Sequence, residues 1–412
     1  MEVVQSPAGS ERKPLGRAAA QRTASVFVSA GEASGDWAGS LLAGALRARR
    51  PDLQLSGIGG RLMASAGVNL LADSSTWAAI GVFESLSKVR RVVRAVRGAC
   101  RQLDATPPSA LVLIDAGAVN MRLARFARLM GLPTLYYFPP GSWRKQRGNL
   151  EIRNVVDMIA TPFPWSRDLL EGGRARVEWV GHPVVEAVRP GLSRSEAASR
   201  HGIDPDRPVV AIAPGSRHQE VHYLLPVLAQ AARKLQDQLP SVQFLMPIAP
   251  SLQRDQVAGP LAGAGVSAIF LEGMDYGALQ LAQAAIVCSG SVTLEFACLG
   301  VPMVVVYRAS RATTLQYRLI RGIVGGQRFA AMPNIIAGRE IVRELLGSAA
   351  KPDSIAAETA CLLGDARYCA RVRADLGTVV SALGPPGASG RTAEMVLELI
   401  DKGGDGGPAT RG

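Results

Sequence analysis

Short apolar runs punctuate the chain, most of them closed by glycine or proline and followed by a longer stretch of helical spacing. Runs at 24–30, 53–58, 110–114, 132–138, 155–160 and 177–180 form a first series, and runs at 209–213, 242–247, 268–271, 284–287 and 303–306 a second. Runs this short suit buried strands of a parallel sheet, with the helical stretches between them as crossovers. The pattern predicts an α/β fold of two Rossmann-like, doubly wound domains facing one another across a central cleft. Residues 1–23, rich in Ser, Ala, Pro and Arg without periodicity, are expected to be a disordered basic tail. The first domain is expected over 24–183, a polar linker over 184–207, and the second domain over 208–402, helical after Glu340. Residues 403–412 are expected to be a Gly-rich frayed tail.

One helical stretch, 87–103, is unusual. Val89, Val92, Val93, Val96 and Leu103 share a face, while Lys88, Arg90, Arg91, Arg94, Arg97 and Arg101 occupy the rest. Such a helix can lie on an anionic bilayer. It can equally pack its apolar face on a core and leave a solvated basic face. Both readings stand at this level.

Composition narrows the class. The chain has 412 residues, 48% apolar and 19% charged, which is too long for one ordinary domain and too apolar for a disordered protein. No apolar run approaches the roughly 20 residues of a spanning helix. The net charge of +12 favours an anionic partner such as a phosphate or a lipid headgroup. An aromatic share of 5% and the lack of a readable nucleic-acid motif argue against nucleic acid. Five cysteines, odd in number and without a close pair, point to a reducing cytoplasm rather than to disulfides or a metal. The N-terminus lacks the apolar core of a signal peptide.

The candidate chemistry gathers at the turns after strands. Ser289-Gly290-Ser291, between an apolar run and a helix that carries Glu295, is a candidate anion site, because the first amides of such a helix face the ligand crevice. Glu295 could accept from ribose hydroxyls. After the run 209–213 comes Pro214-Gly215-Ser216-Arg217 with Glu220. Arg217 matches a pyrophosphate in charge and in bidentate geometry, or forms only a salt bridge with Glu220. In the first series, Glu32 and Asp36 lie in and after the turn Gly31–Gly35. Asp36 reads comfortably as a cap, and Glu32 as the better candidate for substrate. Asp115, at the carboxyl end of a strand, is a candidate general base or an N-cap. The basic loop around Trp143 and Arg144 could clamp an acceptor phosphate or be solvated. His182, before Pro183, reads more readily as structural.

Taken together these residues resemble the lipid-A-disaccharide synthase family, inverting glycosyltransferases of the GT-B fold. The resemblance covers about 26–346. It is carried by Ala30-Gly31-Glu32-Ala33-Ser34-Gly35-Asp36, Gly81-Val82-Phe83-Glu84, Ile114-Asp115-Ala116, Gly181-His182-Pro183 and Pro214-Gly215-Ser216-Arg217 with Glu220. Ser289-Gly290-Ser291 with Leu294-Glu295, Leu299-Gly300-Val301-Pro302, and Pro333-Asn334 with Gly338-Arg339-Glu340 complete it.

The resemblance implies an enzyme at the cytoplasmic face of the inner membrane that joins UDP-2,3-diacylglucosamine to the 6-hydroxyl of 2,3-diacylglucosamine 1-phosphate. UDP leaves with inversion, without a metal and without a cofactor beyond the donor. It implies Asp115 as base and Glu32 as a second active-site acid. Arg217, Glu220, Ser289, Gly290, Ser291, Glu295, Asn334 and Arg339 would hold the UDP-sugar. Asp36, Glu84, Trp143 and Arg144 would lie on the acceptor and lipid side. The helix 87–103 would meet the membrane, and a second copy of the chain is a candidate partner.

Three departures fall in the first half. The family's Asp-Ala-Pro-Asp-Phe-Asn is Asp115-Ala116-Gly117-Ala118-Val119-Asn120 here, its tryptophan-rich stretch is reduced to Pro139-Pro140-Gly141-Ser142-Trp143-Arg144-Lys145, and its usual His-Gly is Ala38-Gly39. Two alternatives therefore remain: a UDP-sugar-dependent transferase with another lipid acceptor, and a non-catalytic glycolipid- or nucleotide-binding protein.

Overall fold

The computed structural model describes residues 23–74, 77, 85–145, 150–249, 251–308 and 328–405. The tail 1–22, the Gly81–Glu84 motif and residues 406–412 lie outside them. Two parallel sheets organise the chain. In the first, β1 (Ser25–Ala30), β2 (Gln54–Gly59), β3 (Asn69–Asp73), β4 (Ala110–Ile114), β5 (Thr134–Tyr137), β6 (Met158–Thr161) and β7 (Arg176–Trp179) lie in the order β3-β2-β1-β4-β5-β6-β7. In the second, β8 (Val209–Ala213), β9 (Gln243–Ile248), β10 (Ile269–Glu272), β11 (Ala284–Cys288), β12 (Met303–Tyr307) and β13 (Arg343–Leu346) lie in the order β10-β9-β8-β11-β12-β13.

Every run of the sequence pattern becomes a strand, and β4, β8 and β11 are buried at every position; the edge strands β7 and β10 are exposed or half-exposed at three of their four positions. Two strands carry no such run. β3 alternates between exposed and half-exposed positions at a sheet edge, and β13 is a four-residue edge strand inside a stretch expected to be helical.

Each sheet has one point where the strand order reverses. In the first it lies between β1 and β4, in the second between β8 and β11. Loops leaving the carboxyl ends at such points diverge to opposite faces and open a crevice between them. The turns carrying Glu32, Asp115, Arg217 and Ser289–Ser291 all leave these four strands.

Two domain boundaries differ from expectation. The segment expected as a linker folds into helices Val184–Ala187 and Arg194–His201, and Val184, Val188, Ala197, Ala198 and Ile203 enter a core cluster of the second sheet. Small apolar residues at helical spacing outweigh the polar average that made this segment look like a linker. The last helix, Ala388–Asp405, is tied at its start to Glu186 and then crosses to the first half. Its Ala393, Met395, Val396, Leu399 and Ile400 join Val28, Leu42 and Leu135 in the core of the first sheet. That helix also runs through Gly403 to Asp405, where a frayed tail was expected.

Helix Ser85–Ala105 packs against the first sheet. Val96, Ala99 and Leu103 are buried against Phe27, Ile58 and Leu111, with Val92 packed on the same cluster. Arg90, Arg91, Arg94, Arg97 and Arg101 are exposed. The described part of the apolar face, Val92, Val96, Ala99 and Leu103, packs on the core, and the arginines lie on the exposed side. Among the described residues no helix is long and apolar enough to cross a membrane.

Candidate functional site

The first half of the site is a pair of loops locked together. Asp115 and Ala116 both adopt the left-handed conformation, at φ 48° and 46°, a conformation that non-glycine residues hold only when their surroundings impose it. Here the surroundings are specific. The Asp115 carbonyl accepts from the Tyr136 hydroxyl at 2.6 Å and from Asn120 Nδ2 at 3.0 Å. Asn120, fully buried, also donates to the carbonyls of Ser29 and Ile114 and accepts from the Ser29 hydroxyl at 2.7 Å. Ala116 in turn presses on the backbone of Gly31, where a β-carbon would stand 2.4 Å from the Ala116 methyl. Glycine is required there by contact. Phe138, at the end of β5, is a third left-handed non-glycine residue at φ 55°. Three such residues at neighbouring strand ends mark a strained region.

These constraints fix the backbone at Asp115, whose carboxyl lies within reach of the Glu32 charge. Burial, and then the Glu32 charge, push its carboxyl up to about 6 from an ordinary 3.8. That value suits a base operating near neutral pH. Glu32 itself begins helix Ala33–Arg49 and makes no cap bond with its side chain.

The second half faces it. Arg217 begins helix His218–Gln238, and its guanidinium donates from one terminal nitrogen to Glu220 at 2.8 Å and from the other to Glu32 at 3.0 Å. The second bond joins the two domains across the crevice. Glu220 Oε2 would stand 3.2 Å from a β-carbon on Gly215, and Cys288 lies beside the same glycine. Burial and then the Glu220 charge raise the Cys288 thiol far above its usual range. Arg217, Glu220 and the end of β11 therefore form one contiguous patch.

The turn after β11 adjoins it. The Ser289 hydroxyl donates to the Ala330 carbonyl at 2.9 Å, while Gly290 and Ser291 are exposed and the Ser291 side chain makes no cap bond. Among the described residues, nothing lies within 4 Å of where a β-carbon on Gly290 would stand. Glu295 accepts from the Tyr276 hydroxyl at 2.8 Å, and burial raises its carboxyl above the ordinary value.

Several expected site residues are engaged elsewhere. Asp36 is buried and accepts from the amides of Gly60, Leu62 and Met63 at 2.7, 3.1 and 3.0 Å, so its carboxylate starts the helix Arg61–Ser65 instead of facing an acceptor. Asn334 is fully buried. Its amide donates to Val342 and Glu344 and accepts from the amides of Ile341 and Val342, a full complement that leaves nothing for a nucleotide. Arg339 pairs with Asp375 on the helix Ala366–Ala382, an ion pair separate from that of Arg217. Trp143 packs against the core of the second half, with Arg144 over its ring at 4.9 Å. Lys145 reaches across to the Ile336 carbonyl at 2.7 Å, so this loop bridges the domains. Glu84 lies outside the described residues. His182 is structural: buried among Phe138 and Phe163, it is held down to about 3 and accepts from the Val184 amide.

Sequence reasoning passed over Tyr136, Ser29 and Glu344. Glu344 accepts from the amides of Ala330 and Ala331 and from Asn334, anchoring the segment that Ser289 binds. Only their position beside a turn could have signalled them.

The chain matches known proteins over most of its length. Residues 26–389 match the family described as lipid-A-disaccharide synthetase. The chain is 39% identical to the lipid-A-disaccharide synthase of Geobacter sulfurreducens over 379 residues, 92% of this chain and 97% of that protein. It is 35% identical to that of Coxiella burnetii over 91% of this chain and 98% of the relative. Among solved structures, UDP-GlcNAc 2-epimerase from Neisseria meningitidis bound to UDP-GlcNAc superposes with a TM-score of 0.62 at 12% identity, over 91% of this chain and all of that one. MurG from Acinetobacter baumannii superposes with a TM-score of 0.53 at 16% identity, over 91% and 99%. At such identities these two establish the fold alone, the two-domain GT-B architecture. By its matched length and its identity to these synthases, the chain belongs to the lipid-A-disaccharide synthase family.

Proposed function

We propose that the protein is an inverting, metal-independent glycosyltransferase that joins UDP-2,3-diacylglucosamine to 2,3-diacylglucosamine 1-phosphate, giving the disaccharide 1-phosphate and UDP. The observation that supports this is a carboxyl raised to about 6, Asp115, and an arginine, Arg217, on facing loops, with Glu32 near the first and bonded to the second. Asp115 takes the proton from the acceptor's 6-hydroxyl as that oxygen attacks the anomeric carbon of the donor. The bond from that carbon to the pyrophosphate breaks on the opposite side, and its electron pair leaves with UDP. Arg217 meets the developing charge, and Glu220 holds Arg217 in orientation. Ser289, Gly290 and Ser291 border the phosphates, and Glu295 lies one turn on for the ribose.

Both substrates carry acyl chains, so the reaction belongs at a lipid surface. The exposed arginines of helix Ser85–Ala105 would hold the protein on the cytoplasmic face of the inner membrane by charge, without inserting. The test is UDP release by the purified chain with donor and acceptor in mixed micelles containing EDTA. Turnover is expected, with one disaccharide per UDP. Asp115→Ala is expected to lose turnover and keep UDP binding. Full activity in that variant would sink the assignment of the base.

A further inference from the structure

The two carboxylates on Arg217 differ in kind. Glu220 lies three residues on in the same helix, and its side chain is only 15% exposed, seated over Gly215. It is a permanent neighbour. Glu32 comes from the other domain, its side chain is 39% exposed, and it touches only the second terminal nitrogen of a guanidinium that is itself 43% exposed. A pair this open, held across a crevice between two domains, is weak and readily exchanged. A pyrophosphate oxygen arriving at Arg217 meets one nitrogen already oriented by Glu220 and the other occupied by an anion.

We propose that Glu32 competes with the donor's pyrophosphate for the second terminal nitrogen of Arg217, so that donor binding displaces Glu32 and leaves its charge uncompensated beside Asp115. The competition sets donor affinity. The displacement also couples donor arrival to the base: with Arg217 turned to the phosphates, the Glu32 charge acts on Asp115 undiminished and keeps it a stronger proton acceptor. This rests on the pyrophosphate reading of Arg217 above.

The experiment is calorimetric titration of the full chain with UDP and with uridine, comparing wild type, Glu32→Gln, Glu32→Asp and Arg217→Ala. Glu32→Gln removes the competing charge. Glu32→Asp keeps the charge but withdraws it by one methylene from the guanidinium. Both are expected to bind UDP about two- to fivefold more tightly than wild type, the range an exposed ion pair allows, with uridine binding unchanged. Unchanged or weaker UDP binding in Glu32→Gln overturns the proposal. Tightening in Glu32→Gln alone also overturns it, because that outcome needs only distant repulsion and no contact. If Arg217→Ala binds UDP as wild type does, the pyrophosphate reading itself falls, whatever the Glu32 variants show.

Discussion

The Ala116 methyl stands 2.4 Å from the point where Gly31 would carry a β-carbon. The left-handed turn that aims Asp115 and the glycine turn that carries Glu32 are therefore one packed unit, and neither can move alone. Replacing Gly31 with alanine sets two methyl carbons in overlap at a rigid position, a strain of about 1–3 kcal/mol. Gly31→Ala is expected to lower kcat at least tenfold and reduce the melting temperature, while UDP affinity changes less than threefold. Kinetics at saturating donor and a UDP titration separate the two effects.

Asp115 gives a pH signature. Acting as a base, it must be ionised, so activity is expected to rise with pH through an acidic limb near 6. Because the Glu32 charge contributes to the upward displacement, the limb should move to lower pH in Glu32→Gln. A limb that stays in place in that variant would separate the two carboxylates.

Stability runs the opposite way. The folded Asp115 carboxyl holds its proton up to about 6, whereas the unfolded one releases it near 3.8. Between those values the folded state binds more protons, so its stability falls as pH rises through the window and stays lower above it. Asp115→Asn removes this cost. At pH 7.5 it is expected to be more stable than wild type by about 1–3 kcal/mol, and to be inactive. Denaturant melts at pH 7.5 and pH 4 check the sign, the difference shrinking at the lower pH.

Asp36 and Arg217 should behave in contrast. Asp36→Ala leaves three amides at the start of helix Arg61–Ser65, two of them buried, without their acceptor, at about 1–3 kcal/mol, and UDP binding should persist. Arg217→Ala should leave the melting temperature within a few degrees and weaken UDP at least tenfold.

The membrane reading concerns charge alone. Replacing Arg90, Arg94, Arg97 and Arg101 with glutamine is expected to reduce binding to vesicles containing anionic lipid by two orders of magnitude or more, at about 1 kcal/mol per arginine near the surface. UDP binding in solution should be unaffected. Sedimentation with neutral and anionic vesicles decides it.

Much of this architecture was legible because parallel strands are buried on both faces and leave continuous apolar runs. β3 and β13, edge strands without such runs, left no comparable mark. The residues at the reversal points, Glu32, Asp115, Arg217 and Ser291, could be placed because ligand crevices form there regardless of detail. Asn334 and Asp36 show the limit. A buried polar residue in a family motif is compatible with ligand binding and with holding a turn, and only its partners distinguish the two. The Ser29–Asn120 lock and the paired left-handed turn are relations between distant segments, and they have no periodic trace.

The return of helix Ala388–Asp405 to the first sheet has a consequence for biogenesis. During synthesis the amino-terminal half emerges first, yet the part of its core beside helix Ala33–Arg49 stays uncovered until helix Ala388–Asp405 leaves the ribosome. The intervening unit, which is continuous in sequence, can close on its own before that. Order of emergence and order of completion are thus reversed, and until the last helix docks the nascent chain presents greasy surface that a chaperone would have to shield.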